Sequence, residues 1–271
     1  MFAKMLLTRK MTLPNGKIVV EMRSMTPLVI LLLIGFGYGS IQITGFDLQV
    51  LINRIGQFFV IIQEMIPPTW AYIPQVWRPL LDTIKMSLLG SLLGAITALP
   101  LAMLAASNIT KTKWVSSTVK FILSILRTLP TLVVALIATY IFGLGTLAGT
   151  VAIYLFTIAY IGKLLYEQIE NANLDAYEAM HSMGLTTIQS FRYAVFPQIL
   201  PNYLSTSLFC FEGNVRYAAI LGYVGAGGIG LLLNESLGWR NYSNLGMILL
   251  MLVVVVYMIE SISEYYRKKL T

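Results

Sequence analysis

Residues Tyr177 to Pro201 read YEAMHSMGLTTIQSFRYAVFPQILP, a compact stretch with a glycine in its middle and two prolines at its end. Just upstream, Asn173 is suited to cap a short helix from about Leu174 to Met183, with Asp175 in the first turn, where the helix dipole favours an anion. Gly184 stands where a helix ends in a left-handed residue, a conformation that costs only glycine nothing. Thr186 or Thr187 can cap a second helix through Phe196, and Pro197 and Pro201 are expected to stop it. The reading is two short helices meeting at a glycine elbow.

The setting of that elbow follows from composition. Of 271 residues, 57% are apolar and 11% charged, and the mean hydropathy is +0.75. Such a chain is a polytopic membrane protein rather than a soluble domain. Crossing roughly 30 Å of hydrocarbon takes about 20 helical residues. Runs that qualify are Thr26–Ile43, Met86–Ala106, Phe121–Phe142, Thr146–Leu165 and Leu245–Ile262, with Leu204–Leu233 as one helix plus a broken, glycine-rich continuation. An all-α membrane protein of about six crossings is expected.

Basic residues near span ends are retained in the cytoplasm. An inside N-terminus gathers Lys4, Arg9, Lys10, Lys17, Arg23, Lys111, Lys113, Lys120, Arg127, Lys163, Arg192 and the run Arg267 to Lys269 on one side, leaving Arg54, Arg78 and Arg240 outside. Both termini and the elbow are thereby expected in the cytoplasm. The net charge of +7 is accounted for by such loop charges, so nucleic acid is not expected as a partner.

Residues 1–25 read as a cytoplasmic tail with a turn at PNG and no cleavable signal, and residues 26–43 as an uncleaved first anchor. Within 44–78, LQVLINRIGQFFVIIQEMIPP places apolar residues at near-helical spacing around Arg54, Gln57 and Gln63. An amphipathic helix on the outer membrane surface, ended by Pro67 and Pro68, is the reading, with a seventh crossing as its alternative.

At the elbow the residues resemble the cytoplasmic loop of ABC importer permeases, which has the form EAA, three residues, Gly, nine residues, then I-x-L-P. Glu178 and Ala179 match the opening and Gly184 the glycine, while Ala194, Phe196 and Pro197 occupy the closing positions. Met180 stands for the third alanine, and Ala194 and Phe196 replace isoleucine and leucine. With LLYEQIENAN, RTLPTLVVALI and YAVFPQILPNYLSTSLFCFEGNVRYAAILGYVGAGGIG, the chain from about Pro79 to Thr271 resembles the phosphonate ABC transporter permease family. The resemblance implies a type I importer fold with a permease core at 79–271 and a coupling loop at 167–201. It also implies dimerisation, with itself or a related permease, and delivery of substrate by an extracytoplasmic phosphonate-binding protein. A cytoplasmic ATPase dimer would dock on the elbows. Phosphonate is the implied cargo, with phosphate or phosphite left open.

A second stretch, FEGNVRYAAILGYVGAGGIG, carries charge inside an apolar span, where charge is costly and normally faces protein or water. Glu212 and Arg216 are four apart on one helical face, and Asn214 lies on another. Two readings stand side by side: Glu212 and Arg216 pair with each other, or across a dimer, and hold the fold, or Arg216 and Asn214 line a cavity for an anion. Gly225, Gly227 and Gly230 satisfy G-x-G-x-x-G, but the dinucleotide fingerprint needs a strand, a helix and an acid about 20 residues on. With Gly228 these glycines read instead as close packing and broken helix near a gate.

Catalysis has little support. His181 is the one histidine, and no nucleophile elbow, zinc pair or phosphate loop occurs in the sequence. Cys210 excludes an internal disulfide and reads as a small buried hydrophobe. No cofactor or metal is expected, and ATP hydrolysis is assigned to a separate subunit. An ion-coupled transporter using Glu212 and Arg216 as a relay is the alternative class.

Overall fold

The computed structural model describes residues 8–12, 16, 18–22 and 26–270. The chain divides into two units, Met1–Val60 and Ile61–Thr271. In the first, strands β1 (Thr8–Thr12) and β2 (Ile18–Met22) pair antiparallel, Thr8 opposite Met22. The hairpin lies in the predicted tail, and Gly16 of the PNG turn takes φ +75°. Helix α1 (Thr26–Thr44) covers the run read as the first anchor. Helix α2 (Leu48–Glu64) forms over the amphipathic stretch. Its start is capped by Asp47, whose Oδ1 accepts from the Gln49 and Val50 amides at 2.8 and 3.2 Å.

The regular structure among the described residues of the second unit is all helical. Helix α3 (Ile73–Ala105) begins 13 residues before the predicted run and carries Pro79 and Pro100 in its interior. Helices α4 (Lys113–Thr128) and α5 (Thr131–Phe142) correct the reading of Phe121–Phe142 as one run. They meet at 92°. Pro130 drives its predecessor Leu129 out of the helical region, to ψ 125°. Helix α6 (Thr146–Glu170) runs beside α3. Their close approach rests on Gly90 and Gly94: an added methyl at Gly94 would lie 2.6 Å from the Thr157 side chain, and one at Gly90 2.9 Å from the Thr150 carbonyl. Small residues four apart let two backbones approach in a medium where dispersion drives helix association.

Helix α7 (Asp175–Ser182) and the short α8 (Thr187–Ser190) make the elbow. A π turn at Phe191–Val195 then leads without a break into α9 (Phe196–Leu221). After a single turn at Gly222–Val224, α10 (Ile229–Gly238) and α11 (Tyr242–Leu270) complete the chain. Among the described residues, four helices are long and apolar enough to cross a membrane, and up to six spans result if the bent pairs α4–α5 and α8–α10 each count as one. The run Leu204–Leu233, read as one helix plus a broken, glycine-rich continuation, is broken: α9 ends at Leu221 and the pair bends by 52°.

The expectation that Pro197 and Pro201 stop the second elbow helix is wrong. In a regular α-helix the Pro197 ring would collide with a carbonyl four residues back. Here the Phe196 amide bonds Phe191, five back, so the π turn loosens the coil where the first proline enters. Pro197 occupies the first turn of α9, where no intrahelical donor is required.

Candidate functional site

Each half of the elbow is locked by its own sequence. Asn173 Oδ1 accepts from the Asp175 amide at 2.8 Å, a turn just ahead of α7, whose cap position is Leu174 and not Asn173 as expected. Gly184 takes φ +92°, and its amide donates to the His181 carbonyl at 3.1 Å. Thr186, rather than Thr187, caps α8: its hydroxyl accepts from the Gln189 amide at 3.3 Å while Gln189 Oε1 accepts from the Thr186 amide at 3.0 Å. His181 stacks on Tyr177 with 6.1 Å between centroids and donates from Nδ1 to the Leu185 carbonyl at 3.1 Å. Gln198 closes the loop, its Oε1 accepting from the Asn173 amide and its Nε2 donating to the Asn173 carbonyl, at 3.2 and 3.0 Å.

The elbow sits on one apolar cluster containing Ala105, Ile109, Leu123, Leu165, Ile169, Tyr177, Phe191, Ala194 and Val195. The six coupling candidates divide accordingly. Glu178, Ala179, Gly184 and Pro197 are exposed, beside the exposed apolar side chains of Met183 and Ile188. Ala194 is buried and Phe196 packs partly into the cluster, so these two anchor the elbow rather than present it. Behind it, Glu170 Oε1 accepts from the Ser107 amide, the Ser107 hydroxyl and Lys120 at 2.8, 2.6 and 2.7 Å, tying the α3–α4 connection to the end of α6. Lys163 pairs with Glu167, and Lys120 and Lys163 both lie over the Tyr166 ring.

The candidates on α9 divide between two faces of the helix: Glu212 and Arg216 meet on one, and Asn214 lies on the other. Asn214 is buried among α3, α6 and α9, and its Nδ2 donates to Ser91 Oγ and Thr157 Oγ1 at 2.8 and 2.9 Å. Its backbone carbonyl accepts from Ser87 at 3.4 Å. On the other face Glu212, 4% exposed, accepts from Arg216 at 2.5 Å and from Arg267 of α11 at 3.5 Å. Arg216 also reaches Glu260 at 3.2 Å and is half exposed. It lines a cavity of about 360 Å³ with Phe156, Tyr160, Cys210, Gly213 and Tyr217. The two readings of the pair are thus not exclusive, since Arg216 both holds Glu212 and lines the cavity, but Asn214 is buried and does not line it, contrary to expectation.

The glycine stretch is a tight backbone crossing. Gly225, Gly227 and Gly228 have φ of +80°, +79° and +72°. The Gly225 carbonyl accepts from the Gly145 amide at 3.0 Å, and Thr83 Oγ1 accepts from the Ile229 amide at 2.8 Å. The backbone freed by the broken helix is therefore satisfied by protein. A helix and a single turn, not a strand, lead into these glycines, so the dinucleotide reading fails here as expected.

Sequence reasoning missed Arg267 and Glu260 as partners of Glu212 and Arg216, because pairing across helices leaves no spacing signal. It also missed Ser91 and Thr157. One signal was legible: Thr83, Ser87 and Ser91 recur every four residues and therefore share one face of α3.

Residues 98–269 match the family described as binding-protein-dependent transport system inner membrane component. The phosphite transport system permease protein PtxC of Stutzerimonas stutzeri is 31% identical over 222 residues, 82% of this chain and 81% of that protein. The phosphate-import permease protein PhnE of Mycolicibacterium smegmatis is 32% identical over 206 residues, 76% of this chain but only 39% of that longer protein. The putative cryptic phosphonate transport system permease protein PhnE2 of Escherichia coli is 32% identical over 117 residues, 43% of this chain and 96% of its own length. Among solved structures, a chain of the MetNI methionine ABC transporter in an inward-facing conformation superposes with a TM-score of 0.66 at 23% identity, over 75% of this chain and 99% of that one. That last likeness concerns the fold.

Proposed function

The chain belongs to the family of binding-protein-dependent transport system inner membrane components, and we propose that it is the permease subunit of an ATP-driven importer of phosphonate, phosphite or phosphate. The observation that carries the cargo class is the 31% identity to a phosphite permease over 82% of the chain. A cytoplasmic ATPase dimer docks on the elbow, an extracytoplasmic binding protein delivers the oxyanion, and two permease chains enclose the path. Both chain ends lie in the cytoplasm, in keeping with the basic residues. The amphipathic helix α2 lies outside the cytoplasm, and the core from 79 onward carries transport.

The geometry supports this division of labour. The exposed tip of Glu178, Ala179, Met183, Gly184 and Ile188 offers apolar and acidic surface, while capping and buried anchors keep it rigid. Movement of an ATPase surface is thereby passed directly to α9. In the path, Arg216 meets the cavity with two carboxylates already near it. Arg216 and Arg267 against Glu212 and Glu260 leave no net charge, so the guanidinium gives an oxyanion a passing contact and no deep well. Asn214 holds α3, α6 and α9 in register behind that path, and Gly225, Gly227 and Gly228 form its outer constriction. An ion-coupled relay is disfavoured because both Glu212 oxygens are engaged by guanidinium groups.

Uptake of phosphite and of a phosphonate into proteoliposomes tests the reading, using this chain with and without its ATPase and binding protein, and ATP inside. Uptake is expected only from the full set with ATP. Uptake by the chain alone under an ion gradient would overturn the importer assignment.

A further inference from the structure

A groove of about 480 Å³ runs between α3, α9 and the last turns of α11, away from the Arg216 cavity. Its walls include Leu88 and Leu92 of α3 and Leu208 and Phe211 of α9, and its mouth is formed by Tyr266 and Lys269 of α11. Leu88 and Leu92 are each more than half exposed. We propose that this groove holds an acyl chain of an anionic phospholipid, with the lipid phosphate on Lys269.

The charge at the mouth selects the ligand. The basic residues of α11 are Arg267, Lys268 and Lys269, all in its last turn, where the apolar run has ended and lipid headgroups lie. They are not equivalent. Arg267 is turned inward to Glu212, and Lys268 is paired with Glu264 at 2.7 Å. Lys269 lies over the Tyr265 ring at 4.3 Å and, among the described residues, has no ion pair. Its charge is free to meet a phosphate at one end of an apolar slot that the exposed Tyr266 also lines.

The size of the groove favours a hydrocarbon chain over a protein segment. A helix with its side chains is about 10–12 Å across, so a single turn sweeps out roughly 400–600 Å³. A packed helix from a second copy would therefore fit for one turn, whereas a flexible chain can follow the slot along its length. Lysine recognises phosphate as a point charge and leaves the rest of the headgroup unread. The inferred preference is accordingly for negative charge, not for one headgroup.

The test needs no transport and stands apart from the cargo assignment. The full chain, purified in mild detergent, is offered equal amounts of phosphatidylglycerol and phosphatidylcholine with matched acyl chains, and retained lipid is counted by native mass spectrometry. One retained phosphatidylglycerol is expected, favoured about fivefold, the factor appropriate to one lysine at an anionic surface. Lys269→Glu abolishes the preference, and Lys268→Glu leaves it. Ser207→Phe, which fills the slot, lowers retention of both lipids. Equal retention of the two lipids by the wild-type chain would overturn the proposal, as would equal loss in the Lys268 variant. A disulfide between two copies through Leu208→Cys, in a Cys210→Ser background, would likewise overturn it by placing protein in the groove.

Discussion

Single residues in this chain carry loads that their chemistry alone does not reveal, and two glycines show the contrast. Gly227 takes φ +79°, and a methyl there would lie 2.7 Å from the Thr146 amide nitrogen, which belongs to backbone and cannot move aside. Gly213 sits in regular helix with nothing within 4 Å of the same added atom. Gly227→Ala is expected to destabilise by at least the ~1–3 kcal/mol of a strained backbone position. Gly213→Ala should stabilise by about 0.5–1 kcal/mol through the lost freedom of the unfolded chain. Thermal unfolding of the two variants in one detergent checks the pair, and equal midpoints would contradict the crossing described for Gly227.

Among the elements, the elbow is the one whose shape depends on one torsion. Gly184 has open space around its Cα, so any cost of substitution there comes from the backbone. Gly184→Val should lower ATP-dependent uptake severalfold and weaken retention of the ATPase, since β-branched residues resist positive φ. Gly184→Asn should recover much of both, because asparagine tolerates the left-handed region. Co-purification of the ATPase with each variant, beside uptake, is the measurement. Unaltered behaviour of the valine variant would remove the elbow's role. This element was legible in advance because caps and a left-handed glycine are local signals, written at Asn173, Thr186 and Gly184; the part of Gln189 in the second cap was seen only in the structure. The stops assigned to Pro197 and Pro201 were misread for a related reason. A proline constrains its own turn, and whether the helix ends or loosens into a π turn is decided by what packs behind it. Here Phe191, Ala194 and Val195 are all buried, and leaving the helix would expose them. The bend at Pro130 was missed in the opposite sense, since the apolar residues on either side were joined into one run across Arg127, Thr128 and Pro130.

For the molecule as a whole, the contact between α9 and α11 is the joint with the most charge. Glu212 is nearly fully buried and holds Arg216 from its own helix and Arg267 from α11. Breaking a buried pair costs ~3–5 kcal/mol, and with both guanidinium groups partly in solvent the loss should fall below that range. Glu212→Gln is therefore expected to lower stability and uptake together, whereas Glu260→Gln, at an exposed partner, should leave stability within about 1 kcal/mol of wild type. Unfolding midpoints and uptake rates measured side by side check this, and a Glu212 variant that loses uptake at unchanged stability would make the carboxylate a pathway group instead. The sequence showed that charge stood inside a span, but not that Arg267, 55 residues away, would answer it.

The π turn at Phe191–Val195 has a consequence for everything beyond it. A turn closed by five residues in place of four inserts one residue into the helical count, and each residue advances the helix by about 100°. The whole of α9 is thus phased by that one step. It sets Asn214 towards Ser91 and Thr157 while Arg216 turns to the cavity, and without it both side chains would swing roughly a quarter of a revolution off their stations. The irregular coil beneath the elbow is in this sense the timing mark that sets the elbow and the Arg216 cavity in phase.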